Sequence, residues 1–242
     1  RRLKEEVAKD LPQKIEQIRY CELSKAQREV YQSLLEEGRR MIAGSEGGQR
    51  RMLALTALLR LRQACCDLRL LDLPDVNEHD GSVKMQELSG LLDEAVEGGH
   101  RVLVFSQFVQ MLQGIVPVLA DRGFDFCYLD GQTRNRGDVV RRFQDSAIPV
   151  FLISLKAGGV GLNLTGADTV IHVDPWWNPA VEAQATDRAH RIGQKRVVTS
   201  YKLIARDTVE EKIVALQERK REMIASTLGD GSFGGNVGLG ED

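Results

Sequence analysis

The sequence is short of cysteine, and what it has is badly placed for metal or disulfide chemistry. Cys21, Cys65, Cys66 and Cys127 contain no Cys-x-x-Cys pair, and adjacent Cys65 and Cys66 are poor partners for each other. Neither a zinc site nor a disulfide framework is expected, and a reducing compartment fits. His79, His100, His172 and His190 are scattered without ligand spacing, so no metal site is expected. There is no apolar run long enough to span a bilayer and no signal peptide, which predicts a soluble intracellular chain without a membrane partner. Net charge is also missing: Lys and Arg number 33 against 35 Asp and Glu, a formal −2. Composition therefore carries no basic signature of nucleic-acid binding. No internal repeat occurs.

What is present is ordinary in bulk and uneven in detail. A hydrophobic content of 42% over 242 residues suffices for the core of one large domain, or of one domain with an appendage. The basic residues cluster at Arg39-Arg40, Arg50-Arg51, Arg134 to Arg142 and Lys195-Arg196. Such patches can bind phosphate on a neutral protein, or can simply be solvated.

Residues 1–80 read as a helical region, with Leu34, Leu35, Leu53, Leu58, Leu59 and Leu61 at helical spacing around the loop Gly44-Ser-Glu-Gly-Gly48. Within it Ile15, Ile18 and Tyr20 hint at a strand over Lys14 to Leu23, and Ser24 is placed to cap the helix that follows. Turn-rich Leu73 to Gly81 makes a boundary. Val83, Leu88, Leu91, Leu92 and Ala95 then predict an amphipathic helix ending near Gly98-Gly99. Over 81–206 short apolar runs alternate with helical stretches. Strands are expected at Val102 to Ser106, Phe124 to Leu129, Val150 to Ser154, Val170 to Val173 and Val198 to Ile204. Helices are expected near Phe108 to Ala120, Arg136 to Phe143 and Pro179 to Arg191. This alternation predicts an α/β fold, a parallel sheet with helices on both faces. A last helix over 207–228 follows, capped by Asp207 with Glu210 completing a capping box and an apolar stripe of Val209, Ile213, Leu216 and Ile224. Residues 229–242 are glycine-rich and read as a flexible tail.

Open parallel sheets bind ligands beyond the carboxyl ends of their strands. There stand Ser106, Gln107, Thr133, Arg134, Ser154 and Lys156, whose hydroxyl, amide and cationic groups suit sugar-phosphate contacts, or caps and turns. Gly158, Gly159 and Gly161, with Asn163 beyond, form a loop that frees amides for phosphate oxygens or merely turns the chain. It is not a Walker A loop, since no Gly-Lys-Ser/Thr ending follows, and its place after the third strand disfavours a Rossmann site. Trp176 and Trp177, between Pro175 and Pro179, pack in the core or face outward. Finally, Gln184, Arg188 and Arg191 fall at spacings of four and three, which predicts one shared helix face carrying two guanidinium forks before Gly193 stops the helix. The plainer alternative is a solvated polar face.

Gln184-Ala-Thr-Asp-Arg-Ala-His-Arg-Ile-Gly-Gln194 resembles the last signature motif of the Swi/Snf-type ATPases, DNA translocases of helicase superfamily two. Arg101 to Phe108, Tyr128-Leu-Asp-Gly-Gln-Thr-Arg134, Ser154 to Gly166 and Val173-Asp-Pro-Trp-Trp-Asn-Pro179 match in the same order, as do Leu11 to Lys14 and Leu59 to Cys65 more weakly. The resemblance implies a helical insertion followed by the second RecA-like lobe and a bracing helix. It makes Arg188 and Arg191 arginine fingers aided by Gln184, and Gly159, Gly161 and Asn163 a loop at the nucleotide cleft. It also assigns Ser106, Gln107, Thr133, Arg134, Ser154, Lys156, Trp176 and Trp177 to DNA. ATP and Mg would be held mainly by an N-terminal lobe outside these 242 residues, leaving this chain inactive alone. The implied partners are a duplex DNA backbone without sequence preference, that first lobe, and a nucleoprotein target. Short loops and the lack of reader segments suggest a bacterial-type, cytoplasmic and nucleoid-associated member; a eukaryotic one would be nuclear. A strand-separating helicase lobe and a non-catalytic DNA- or protein-binding scaffold are the alternatives.

Overall fold

The computed structural model describes residues 11–73, 82–157 and 161–229. The turn-rich boundary over 74–81, Gly158, Gly159 and the tail over 230–242 lie outside the described residues. Six strands form one sheet: β1 (Lys14–Cys21), β2 (Val102–Ser106), β3 (Phe126–Leu129), β4 (Val150–Ser154), β5 (Thr169–His172) and β6 (Val198–Ala205). Every pairing is parallel, in the order β1-β6-β5-β2-β4-β3. Around it stand α1 (Lys25–Ala43), α2 (Gly47–Cys66), α3 (Val83–Glu97), α4 (Val109–Asp121), α5 (Arg136–Asp145), α6 (Pro179–Thr186) and α7 (Val209–Gly229).

Strands β2, β4 and β5 are buried along their whole length, as apolar runs in a sheet covered on both faces must be. The two-residue period sorts their side chains. Val102, Val104, Val150, Leu152 and Ile171 pack with Leu88 and Leu92 of α3 and Met111, Leu112 and Ile115 of α4. Leu103, Phe105, Phe151, Ile153 and Val170 pack on the other face with Phe143 of α5 and Ala185 of α6. Each such side chain contributes about 1.5–3 kcal/mol on burial.

The strand hinted at within the first segment is real and belongs to this sheet. β1 pairs with β6 over its full length, from Lys14 opposite Val198 to Cys21 opposite Ala205. The chain then leaves the sheet as the α1–α2 hairpin. Ser24 caps α1 as expected, its Oγ accepting the Gln27 amide at 3.1 Å. Gly38 lets the two helices meet closely, because a Cβ there would lie 2.9 Å from Ala57 Cβ. Tyr31, Leu34, Leu61 and Cys65 pack with Ala205 and Val209, and the Tyr31 hydroxyl accepts the Val209 amide at 2.8 Å. Leu59, expected in the apolar stripe, is 46% exposed.

The start of α7 corrects the expected cap. Asp207 sits at φ 53° and its amide donates to Glu211 Oε2 at 3.1 Å, while Thr208 Oγ1 accepts the Glu210 amide at 3.1 Å. Glu210 turns inward instead, because Lys84 of α3 is fully buried and needs a counter-charge. Lys84 Nζ lies 2.7 Å from Glu210 and donates to the Val173 carbonyl at 2.8 Å; Glu210 also accepts the Ala205 amide at 2.9 Å. Burial works against the ammonium, but the adjacent carboxylate outweighs it and holds the Lys84 pKa above the ordinary lysine value. Leu216, the third member of the expected stripe, is 47% exposed. Gln217 takes the inward place, donating to Glu182 Oε1 at 2.8 Å and to the Trp176 carbonyl.

Candidate functional site

The register of the sheet aligns its carboxyl edge. Ser106 is opposite Ser154, Leu129 opposite Ile153, and Phe105 opposite His172. β2 lies where the strand order turns, with β4 and β3 on one side and β5 and β6 on the other. Loops leaving in opposite directions open a crevice at such a point. Gln107 follows β2, Thr133 and Arg134 follow β3, Lys156 follows β4, and Trp176 and Trp177 follow β5, so the structure gathers these residues along one edge.

They are not equivalent there. Arg134 and Lys156 are exposed. Thr133 is half-buried, and its Oγ1 accepts the Asp130 amide at 3.0 Å and donates to Asp130 Oδ1 at 3.2 Å, which fixes the turn that presents Arg134. Ser106 and Ser154 are 1% and 3% exposed, so neither expected hydroxyl lies at the surface. The cause at Ser106 is Asp174, a buried carboxylate that must be satisfied. Ser106 Oγ donates to Asp174 Oδ1 at 2.6 Å, and the Gln107 amide donates to the same oxygen at 3.2 Å. Burial raises the Asp174 pKa above the ordinary aspartate value, and these donors with nearby Arg62 offset only part of that rise.

Arg62 is the member of this edge that sequence reasoning missed. It comes from the buried end of α2 and is 2% exposed. Nη1 donates to Gln107 Oε1 at 2.9 Å, Nη2 donates to the Pro175 carbonyl at 2.5 Å, and Nη2 lies 3.6 Å from Asp174 Oδ2. The guanidinium carbon is 5.8, 5.9 and 5.2 Å from the ring centres of Phe108, Trp176 and Trp177. Both tryptophans are half-buried beside this cation, so neither expected alternative, core or exposed, describes them fully. The Trp176 amide donates to Glu182 Oε1 at 2.6 Å, tying the loop to α6. Arg62 and Asp174 each lie inside a stretch that carried the family resemblance; their meeting, across 112 residues of chain, has no local signal.

The segment 184–194 departs from the expected helix. α6 ends at Thr186, and a series of turns follows. The ladder breaks where the Arg188 and Ala189 amides bond three residues back, to the Ala185 and Thr186 carbonyls; beyond it the Arg188 oxygen accepts the Leu164 amide at 2.9 Å, and the Ala189 oxygen accepts Gln194 Nε2 at 3.1 Å. Gln194 Nε2 also reaches the Ala167 carbonyl at 2.7 Å. Gln184, Arg188 and Arg191 therefore do not share a helix face. Gln184 and Arg191 are exposed, whereas Arg188 is 8% exposed with its guanidinium carbon 5.8 Å above the Phe105 ring. Arg188 Nη1 is buried without a hydrogen-bond partner among the described residues, and burial alone lowers its pKa to about 10. The Leu164–Arg188 bond joins this segment to the loop after β4, in which Gly161 has φ 98° and Gly161 and Asn163 are exposed. Beneath them His172 donates to or accepts from the Thr186 hydroxyl at 2.9 Å, stacked on Phe105.

The helicase conserved C-terminal domain matches residues 83–193, and the SNF2-related domain matches residues 1–70. A putative ATP-dependent helicase/translocase of Bacillus subtilis, YwqA, is 40% identical over 224 residues, which is 90% of this chain and 24% of that protein. The chain thus spans about a quarter of the length of the curated relatives it matches. The Sulfolobus solfataricus SWI2/SNF2 ATPase core in complex with dsDNA has a TM-score of 0.76 at 34% identity, covering 92% of this chain and 47% of that one. The C-terminal domain of the Sulfolobus ATPase, solved separately, has a TM-score of 0.73 at 32% identity, covering 88% of this chain and 89% of that one. The parallel sheet, the signature segments at its carboxyl edge and this near-complete match place the chain in the SWI2/SNF2 ATPase family.

Proposed function

We propose that this chain is the second lobe of an ATP-dependent translocase on duplex DNA. In this reading ATP and Mg are held mainly by a first RecA-like lobe, whose Walker A lysine and magnesium-binding acids have no counterpart in these 242 residues. Arg188 and Arg191 reach the triphosphate when the lobes close, Gln184 helps to orient it, and the loop of Gly159, Gly161 and Asn163 lies at the same cleft. The observation that carries this reading is Arg188. A buried guanidinium with an unpartnered nitrogen and, among the described residues, no ion-paired carboxylate is costly to keep, and a phosphate oxygen supplies what it lacks.

Along the carboxyl edge Gln107, Thr133, Arg134, Lys156, Trp176 and Trp177 meet the DNA backbone, with Ser106 and Ser154 supporting them from below. Such contacts position a protein without reading sequence. That a related Sulfolobus core is solved in complex with dsDNA supports duplex DNA as the partner. Binding of the chain to duplex DNA should be independent of base sequence and should weaken with salt as counterions are released. Arg134→Ala combined with Lys156→Ala should lower both the affinity and the slope of its salt dependence, read by fluorescence anisotropy. Strong sequence preference, or normal binding by the double variant, would reject the assignment.

A further inference from the structure

We infer that Arg62 is a positioning residue which the α1–α2 hairpin contributes to the DNA-facing edge, acting through Gln107. This rests on the reading of that edge as the DNA contact. One planar guanidinium holds two loops that sequence separates widely. Through Gln107 Oε1, at 2.9 Å, it holds the loop after β2; through the Pro175 carbonyl, at 2.5 Å, it holds the loop after β5. Its cation–π contacts with Phe108, Trp176 and Trp177 add a second constraint on the same two loops. The position also sets the polarity of the Gln107 amide. Arg62 can only donate, so the Gln107 carbonyl oxygen is committed to it and the amide nitrogen faces away. That nitrogen is buried and meets no acceptor among the described residues. A phosphodiester oxygen is the acceptor that fits: it takes a donor and offers none, and Gln107 lies along the same edge as exposed Arg134 and Lys156.

The hairpin is thereby more than a neighbour of the sheet. Leu61, Ala64, Cys65 and Cys66 of α2 are buried around Arg62, which fixes the stem of the cation in the fold. Lysine could replace the charge and reach one carbonyl oxygen. It could not fork to two loops.

The test is a double-mutant cycle in the full-length, two-lobe protein, with duplex DNA as the probe. Arg62→Lys should weaken DNA binding by about tenfold, the scale of one charge-assisted hydrogen bond. Gln107→Ala should weaken it similarly, and the pair together no more than either alone, because Arg62 acts through Gln107. Thermal melting should show each variant folded, and the affinity for ATP without DNA should match the parent. Gln107→Glu gives an independent arm. It keeps and strengthens the contact with Arg62, so melting should hold or rise while DNA binding falls. If Gln107→Ala weakens binding but Arg62→Lys does not, or if their effects multiply, the inference fails while the DNA assignment stands. If Gln107→Ala and Gln107→Glu both bind DNA normally, both readings fail.

Discussion

Replacing Arg188 with alanine should separate stability from catalysis more cleanly than any other change in this lobe. Burial lowers its pKa from 12.5 to about 10. At about 1.4 kcal/mol per unit, keeping the charge there costs the fold about 3 kcal/mol. Against that, the Phe105 ring at 5.8 Å returns about 1 kcal/mol. The buried methylene stem returns about 2 kcal/mol. These contributions nearly cancel, so Arg188→Ala should change the stability of the lobe by less than about 1 kcal/mol. The backbone bonds of Arg188 to Ala185 and Leu164 survive the substitution. If the guanidinium acts on charge developing at the transferred phosphoryl group, turnover in the two-lobe protein should fall about a thousandfold or more. That corresponds to about 4 kcal/mol of transition-state stabilisation. ATP binding should largely remain, and lysine should not rescue turnover, because it lacks the planar fork. Arg191→Ala should behave alike in turnover, with no effect on melting from an exposed site. The measurements are steady-state hydrolysis at saturating duplex DNA and thermal melting of the same preparations. A folded Arg188→Ala protein with near-normal turnover would refute the finger assignment. A loss of several kcal/mol in stability would refute the energy balance and make Arg188 a structural residue.

The chain by itself should hydrolyse no ATP, with or without DNA; DNA-stimulated turnover at the level of a working ATPase would overturn the division of labour between lobes. His172, buried and held neutral, should make the fold acid-sensitive. Its pKa is lowered from 6.5 to about 4, so between these values the unfolded chain binds the proton that the folded one excludes. Stability contributed by this site is intact above pH 6.5 and falls as pH drops toward 4, by about 3 kcal/mol in all. His172→Gln keeps a polar group near the Thr186 hydroxyl and removes the titration. Denaturant unfolding of parent and variant should therefore diverge across that window and run parallel above it; parallel curves throughout would show that His172 titrates normally.

Much of the architecture could be read from residues close in sequence. The apolar runs Val102–Ser106 and Val150–Ser154 coincide with β2 and β4, because a strand covered on both faces needs nothing more than continuous apolar character. The helix Val83–Glu97 follows from its stripe and from the glycines that end it. What could not be read depends on partners far along the chain. α6 stops at Thr186 where the Arg188 and Ala189 amides bond three residues back, and Leu164 and Gln194 hold the chain beyond it in a course that local periodicity does not show. Glu210 reads as a capping residue until Lys84, 126 positions away, arrives beneath it. Of the edge residues, Gln107, Arg134 and Lys156 were legible from their places after strands. Arg62 was not, since an arginine in a helical stretch looks the same whether it meets water or three aromatic rings.

The pairing of β1 with β6 also bears on how this lobe can be cut. A fragment begun near Ser82 would retain five strands and look like a complete α/β domain. It would uncover the long side of β6, eight residues whose backbone groups now bond to β1 and of which Val198, Leu203, Ile204 and Ala205 are buried. An open, apolar parallel edge of that length is a template for another copy of the same strand. β1 ends the sheet more safely: Lys14, Glu16 and Arg19 punctuate it, and Lys14 pairs with Glu16 at 3.0 Å. The outermost strand thus covers the apolar length of β6, and the hairpin hangs from it.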